Sequence, residues 1–247
     1  MISFKIIQKI AHNFGYHISR IQNKAYSKQV REIFKIVSPY TLTKLDTIQS
    51  LIDSVKYIIK NNVEGDFIEC GVWKGGSIMT MIKTLQELNV SDREIFLYDT
   101  FSGMSKPTSE DIASDGRIAP DLYAGITGEM RRENDAVPLD KVQRNISSLN
   151  YDENKIHYVK GKVEDTLSNN NHKKIALLRL DTDWYESTKC ELELLFPKLV
   201  KGGILIIDDY GDWNGSKKAT KEYLKKNNIK MMLHRLPGNE RIGIKIN

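Results

Sequence analysis

Ile175-Ala176-Leu177-Leu178-Arg179-Leu180-Asp181-Thr182-Asp183 and Gly203-Ile204-Leu205-Ile206-Ile207-Asp208-Asp209 are two apolar runs that each stop on paired acids. Runs of this length, rich in aliphatic and β-branched side chains, read as strands buried on both faces of a parallel sheet. Neighbouring strands of that kind deliver their terminal acids to one sheet edge, and in open α/β sheets ligands bind outside the carboxyl ends of the strands. Carboxylates gathered there stay ionised only beside a cation; without one their pKa values rise. A hard, oxygen-seeking ion such as Mg²⁺ suits those donors. The expectation is a metal site in an α/β domain.

Outward from these two runs the pattern alternates. Further strand-like segments fall at 67–70, 94–98, 156–159, 231–235 and 242–246, with helical spacing at about 43–61, 76–89, 138–149, 185–198 and 216–227. Such alternation predicts βαβ units around a mostly parallel sheet with helices on both faces. Only Leu236-Pro237-Gly238-Asn239-Glu240-Arg241 separates the last two strands, too short for a crossover helix, so the final strand runs antiparallel. Seven strands ending in an antiparallel hairpin describe the class I methyltransferase variant of the Rossmann-like fold. Residues 102–136 break the rhythm and are too long for an ordinary connection, which predicts a lid or substrate loop.

At 247 residues the chain can fill one large core, and no apolar run is long enough to span a bilayer. Cys70 and Cys190 lie in apolar segments and read as buried thiols of a reducing, cytoplasmic compartment. The net charge of +5 belongs to the first 35 residues, where Lys5, Lys9, Arg20, Lys24, Lys28, Arg31 and Lys35 face Glu32 alone. The body is close to neutral, and nothing in it calls for nucleic acid. We therefore divide the chain into a basic helical arm, 1–42, and a catalytic domain, 43–247. On a helix Ile2, Ile6, Ile7, Ile10 and Phe14 share one arc, so the arm either packs on its own domain or a dimer mate, or attaches through residues 1–20 to an anionic membrane face. The arm and the lid both suit a homodimer.

Three more strand ends carry chemistry. Glu69 closes the first strand before the glycine-rich turn Cys70-Gly71-Val72-Trp73-Lys74-Gly75-Gly76-Ser77, which has no G-x-G-x-x-G and so cradles pyrophosphate poorly. A carboxylate there suits a cationic amino group, although such turns also serve merely to pack a helix on a strand. Asp99 ends the second strand and can accept ribose hydroxyls. Glu164 and Asp165 follow the third, where an adenine ring would lie, unless they simply cap a helix. An amino-group acceptor, a ribose acceptor and an adenine edge on successive strands together describe S-adenosylmethionine. The residues assigned to it are Glu69, Gly71, Trp73, Gly75, Ser77, Asp99, Ser102, Glu164 and Asp181.

The chain resembles the macrocin O-methyltransferase (TylF-type) family, which methylates sugar hydroxyls on macrolides, aminocoumarins and bacterial surface glycans. The likeness runs from about 40 to 229 through Gly65–Gly76, Asp99-Thr100-Phe101-Ser102-Gly103-Met104, Ala136–Leu139, Leu178–Thr188, Phe196–Leu199, Gly202-Gly203 and Asp208-Asp209-Tyr210. It implies Mg²⁺ held by Asp181, Asp208 and Asp209, with Asp183 as general base. Alternatively Asp183 and Asp209 cap the helices after them. Thr182 stands where the family usually has glycine and Trp184 where an aliphatic residue is common, which bears on the acceptor more than on the chemistry. The lid matches only loosely; its Glu129, Arg131, Arg132, Glu133 and Asp135 either meet a polar glycan or form a solvated face.

The leading expectation is a Mg²⁺- and S-adenosylmethionine-dependent sugar O-methyltransferase. High Lys, Asn and Ile content suggests an AT-rich bacterium and, with the basic arm, a surface glycan or its nucleotide-sugar precursor as acceptor. The alternatives are an antibiotic deoxysugar, a catechol-type acceptor held by Trp184 and Trp213, a non-catalytic scaffold, or a nicotinamide dehydrogenase, the last disfavoured by the missing glycine fingerprint.

Overall fold

The computed structural model describes residues 26–119 and 136–246. The amphipathic stretch at 2–14, the first 20 residues offered to a membrane, and Glu129–Asp135 of the insert lie outside them. Seven strands form one sheet: β1 (Asp66–Cys70), β2 (Ile95–Asp99), β3 (Ile156–Lys160), β4 (Ile175–Leu180), β5 (Leu199–Ile207), β6 (His234–Arg235) and β7 (Arg241–Ile244). Their spatial order is β3-β2-β1-β4-β5-β7-β6, with β1 to β5 parallel and β7 antiparallel to both its neighbours. The expected class I methyltransferase arrangement is therefore present. The segment expected at 231–235 shrinks to two paired residues, because β6 is an edge strand held by β7 alone.

Helices α1 (Lys28–Val37), α2 (Leu45–Lys60), α3 (Gly76–Glu87) and α4 (Leu139–Ser147) cover one face; α5 (Val163–Thr166), α6 (Tyr185–Leu195) and α7 (Asn214–Lys226) cover the other. The strands alternate between the two cores, as a period of two requires. Phe67, Leu177, Ile204 and Ile206 face the first, and Ile68, Leu178, Leu205 and Ile207 the second. Val30, Ile33 and Val37 of α1 are buried in the first core, so this part of the basic segment is built into the domain.

Register is what creates the site. Cys70 pairs with Leu180, and Leu180 with Ile207, so three central strands end level. The ladder runs one residue further: the Asp181 amide donates to the Cys70 carbonyl at 2.8 Å and the Asp208 amide to the Leu180 carbonyl at 2.9 Å. The direction of strand order reverses at β1 and β4, the switch point at which such sheets bind ligands. Gly71 makes the close approach possible. Its φ is +81°, and a Cβ there would lie 1.8 Å from the Asp181 carbonyl oxygen. Gly71→Ala should therefore cost at least about 3 kcal/mol, the left-handed strain plus a backbone displacement. A denaturant midpoint unchanged by the substitution would show that this approach is not needed.

Candidate functional site

A cavity of about 480 Å³ opens at the carboxyl edge of β1, β4 and β5. Its floor is polar because of strand periodicity. Glu69 and Arg179 are register partners on adjacent strands, Asp181 lies two residues beyond Arg179, and Asp208 two beyond Ile206, the partner of Arg179 on β5. A two-residue repeat turns all four side chains to one face. Arg179, 1% exposed, donates to Glu69 Oε1 at 2.7 Å and to Asp181 Oδ2 at 2.5 Å, and its second terminal nitrogen reaches Asp208 Oδ1. The forked guanidinium can bridge three carboxylates where a lysine would serve as a point charge.

One cation does not neutralise this edge. Burial pushes Asp208 and Asp209 well above the usual carboxylate range, and mutual repulsion with Asp181 and Asp183 adds to it, while Arg179 pulls Asp208 back. Asp183 is pushed up to about 7, mainly by burial and then by the Asp181 charge. Asp181, Asp208 and Asp209 each offer an oxygen, all within 4.8 Å of one another. Arg179 engages one oxygen of Asp181 and one of Asp208, leaving the second of each open to another cation. Three hard oxygen donors with uncompensated charge fit a divalent ion of the Mg²⁺ type.

Asp183 is held from two sides. Trp213 Nε1 donates to its Oδ1 at 2.9 Å, and its amide donates to Asp209 Oδ2 at 2.8 Å. Its backbone sits at φ +68°, and Trp73 and Phe101, on the neighbouring strand-end loops, are also left-handed. Non-glycine residues in that region cluster at functional loops. Neither Asp183 nor Asp209 caps a helix with its side chain. The cap position of α6 is Trp184, and the Tyr185 amide donates at 2.7 Å to Asp111 of the insert instead.

Of the residues assigned to the cofactor, Glu69, Gly71, Trp73, Ser77, Asp99 and Glu164 line the same cavity, as does Asp181. Glu69 Oε2 is buried without a hydrogen-bond partner, and burial lifts the group to about 8 despite the Arg179 charge. A bound ammonium would satisfy that oxygen and favour the ionised form. Asp99 accepts from the Val72 and Trp73 amides through Oδ2, at 2.6 and 3.2 Å, and from the Phe101 amide through Oδ1 at 2.7 Å. Thr100 Oγ1 is a fourth donor, 3.4 Å from Oδ1, and its hydrogen also reaches the Gly103 carbonyl at 2.5 Å, so a ribose hydroxyl would take its place first. Accepting both hydroxyls requires the longer Trp73 bond to give way. Glu164 makes no cap bond, since α5 has no side-chain cap.

Two assigned residues are not brought to this cavity. Gly75 adopts φ +92° as the N-cap of α3, and a Cβ there would meet Ile146 at 3.3 Å; its work is to start the helix. Ser102 borders an adjoining recess with Lys160 and Lys162. The cavity also holds residues that the strand pattern did not reveal. Tyr40 to Lys44, between α1 and α2, form one wall, and Glu240 of the β6–β7 link forms another. The insert is anchored as far as 119: fully buried Asp111 accepts from Thr108, and Ala113 bridges to Trp213.

Thr182 donates to Glu191 Oε1 at 2.8 Å, and Glu191 is fully buried with its other oxygen unpartnered. Burial raises its pKa well above the ordinary value. A carboxyl whose folded pKa lies above its unfolded one contributes most at low pH, and the contribution is lost as pH rises toward the folded value. Glu191→Gln should therefore gain on the wild type by about 1.4 kcal/mol per pH unit above the ordinary Glu range, until the folded pKa is reached. Parallel stability curves for the two proteins from pH 5 to 8 would show that Glu191 is ionised in the fold.

The family described as Macrocin-O-methyltransferase (TylF) matches residues 8–239 of this chain. Demethyldecarbamoylnovobiocin O-methyltransferase of Streptomyces niveus is 32% identical over 192 residues, covering 77% of this chain and 70% of that protein. The 8-demethyl-8-(2,3-dimethoxy-alpha-L-rhamnosyl)-tetracenomycin-C 4'-O-methyltransferase of Streptomyces olivaceus is 29% identical over 211 residues, covering 83% of this chain and 78% of that protein. Among solved structures, the O-methyltransferase NovP superposes with a TM-score of 0.74 at 29% identity, covering 84% of this chain and 83% of that one.

Proposed function

The chain belongs to the macrocin O-methyltransferase family and is an S-adenosylmethionine-dependent O-methyltransferase, and from that premise we propose that it methylates a hydroxyl of a deoxysugar with the help of Mg²⁺. The observation that carries the reading is the group of four acids, Asp181, Asp183, Asp208 and Asp209, on one wall of the cavity that also holds Glu69. The two named relatives act on novobiocin- and tetracenomycin-type acceptors, the second of them rhamnosylated, and not on a surface glycan. The compositional tilt toward surface glycans thus gains no support, and a deoxysugar replaces it.

In this reading Glu69 binds the ammonium of the methionine moiety through its open oxygen. Asp99 fixes the ribose, and Glu164 borders the adenine. Asp181, Asp208 and Asp209 would hold the metal ion, which when bound lowers the pKa of an acceptor hydroxyl and orients it. Asp183, gripped by Trp213 and by its own amide bond to Asp209, is the base that receives the hydroxyl proton. Alignment of the hydroxyl with the sulfonium methyl supplies the rest.

A catechol-type acceptor would need a free aromatic clamp. Trp184 and Trp213 instead pack edge to face on each other at 4.9 Å, and their ring N–H groups are spent on the Ser105 carbonyl and Asp183. An acceptor panel of deoxyhexosides against catechols separates the readings: methylation of the former supports ours, and methylation of catechols alone overturns it. No helix among the described residues is long and apolar enough to cross a membrane. Dimerisation, cytoplasmic location and peripheral attachment through residues 1–20 remain part of the proposal, supported by the arm's apolar arc and basic charge.

A further inference from the structure

Glu240 lies in the short link between β6 and β7, far in sequence from the acids that end β1, β4 and β5. The link is clamped. Asn239 donates to the Leu236 carbonyl at 3.1 Å, and Leu236 to the Glu240 carbonyl at 3.0 Å. Asn239 Nδ2 also donates to Asp212 Oδ1 at 3.0 Å, which ties the turn to the loop that follows Asp208 and Asp209. Arg241 holds the same turn through the Asn239 and Glu240 carbonyls while lying over the Tyr210 ring.

The carboxylate that this turn carries is 6% exposed and lines the same cavity as Asp181, Asp183 and Asp208. Oε1 accepts from the Thr47 hydroxyl of α2 at 2.9 Å. Oε2 is buried with no hydrogen-bond partner, and Glu240 makes no ion pair among the described residues. Glycine at 238 leaves room for the carboxylate as placed: a Cβ there would lie 2.3 Å from Oε2 and 2.4 Å from Oε1. Glu240 is also not one of the carboxylates grouped closely enough to share the ion. A buried, orphaned carboxylate oxygen is costly unless a ligand supplies the donor.

We propose that Glu240 is an acceptor-specificity residue, whose Oε2 receives a hydrogen bond from a donor group of the acceptor sugar, a hydroxyl or protonated amine, held beside the hydroxyl that is methylated. The assignment rests on the sugar O-methyltransferase reading. It gives the site a polarity: with Asp208, Asp212 and Glu240 on this side, a donor is accepted, and a uronate or phosphate at the same position meets like charge.

The test is methyl transfer from tritiated S-adenosylmethionine to methyl α-L-rhamnopyranoside, to its 2-, 3- and 4-deoxy analogues, and to the corresponding amino analogues. Wild type, Glu240→Ala and Glu240→Gln are compared, with cofactor affinity measured by calorimetry on each. One deoxy analogue lacks the reacting hydroxyl and is inert. Of the others, wild type should disfavour one by at least about tenfold in kcat/KM, since a site built to bond a donor rejects the analogue without it. Glu240→Ala should erase that preference, mainly through a raised KM for the parent sugar, with unchanged cofactor affinity. Glu240→Gln, which keeps the size and an acceptor oxygen, should give an intermediate preference if the donor is a hydroxyl and lose the preference if it is an ammonium. An analogue profile in either variant identical to wild type overturns the assignment and leaves the sugar reading standing. A wild type that binds cofactor but methylates no sugar overturns the sugar reading, and the assignment with it.

Discussion

Asp181→Ala is expected to lower turnover by at least about a thousandfold, the several kcal/mol that a Lewis-acidic ion supplies to its bound hydroxyl. Affinity for S-adenosylmethionine should change far less: Asp181 is only one of the residues assigned to it, and Glu69 and Asp99 stand on other strands and keep their partners. The fold should also survive: Arg179 retains Glu69 and Asp208 when Asp181 is removed. A Mn²⁺ titration followed by electron paramagnetic resonance gives an independent readout, with ion binding weakened in the variant. Turnover within threefold of wild type would remove Asp181 from the metal site.

The second large effect concerns stability. Arg179→Met leaves Glu69, Asp181 and Asp208 without their shared cation, and breaking a buried ion pair costs about 3–5 kcal/mol. For a chain of this size that is a fall in Tm of roughly 10 °C. Mg²⁺ should restore part of the loss, since the ion draws on the same two aspartates. Arg179→Lys should rescue incompletely, because an ammonium cannot reproduce the fork. A Tm equal to wild type for Arg179→Met would show that the three carboxylates need no internal counter-ion, and the electrostatic account of the floor would fail.

The centre of the sheet could be read from the chain because β4 and the second half of β5 are buried on both faces and are therefore spelled as nearly continuous apolar runs. The acids that end β4 and β5 were visible for the same reason: a carboxylate after five or six aliphatic residues has no structural use that is easy to name. Arg179 was quoted inside such a run, but its role was not legible, since its partners lie on β1 and β5 and only parallel register brings them level. Glu240 was hidden in a hairpin link and is recruited by Thr47, 193 residues away. Asp111 sits in a stretch without periodicity, where no pattern marks the carboxylate that, among the described residues of the insert, turns inward. Gly75 and Ser102, assigned to the cofactor from the chain, do not line the cavity itself. A glycine-rich turn and a strand-end serine have ligand-binding forms, yet here one starts a helix against Ile146 and the other faces a neighbouring recess.

The most direct test of the central claim is transfer of labelled methyl from S-adenosylmethionine to methyl α-L-rhamnopyranoside by the wild-type chain, in Mg²⁺ and then in excess chelator. Transfer is expected in Mg²⁺, with loss on chelation and return when Mg²⁺ is restored. Transfer that proceeds equally well in chelator would contradict the role given to Asp181, Asp208 and Asp209.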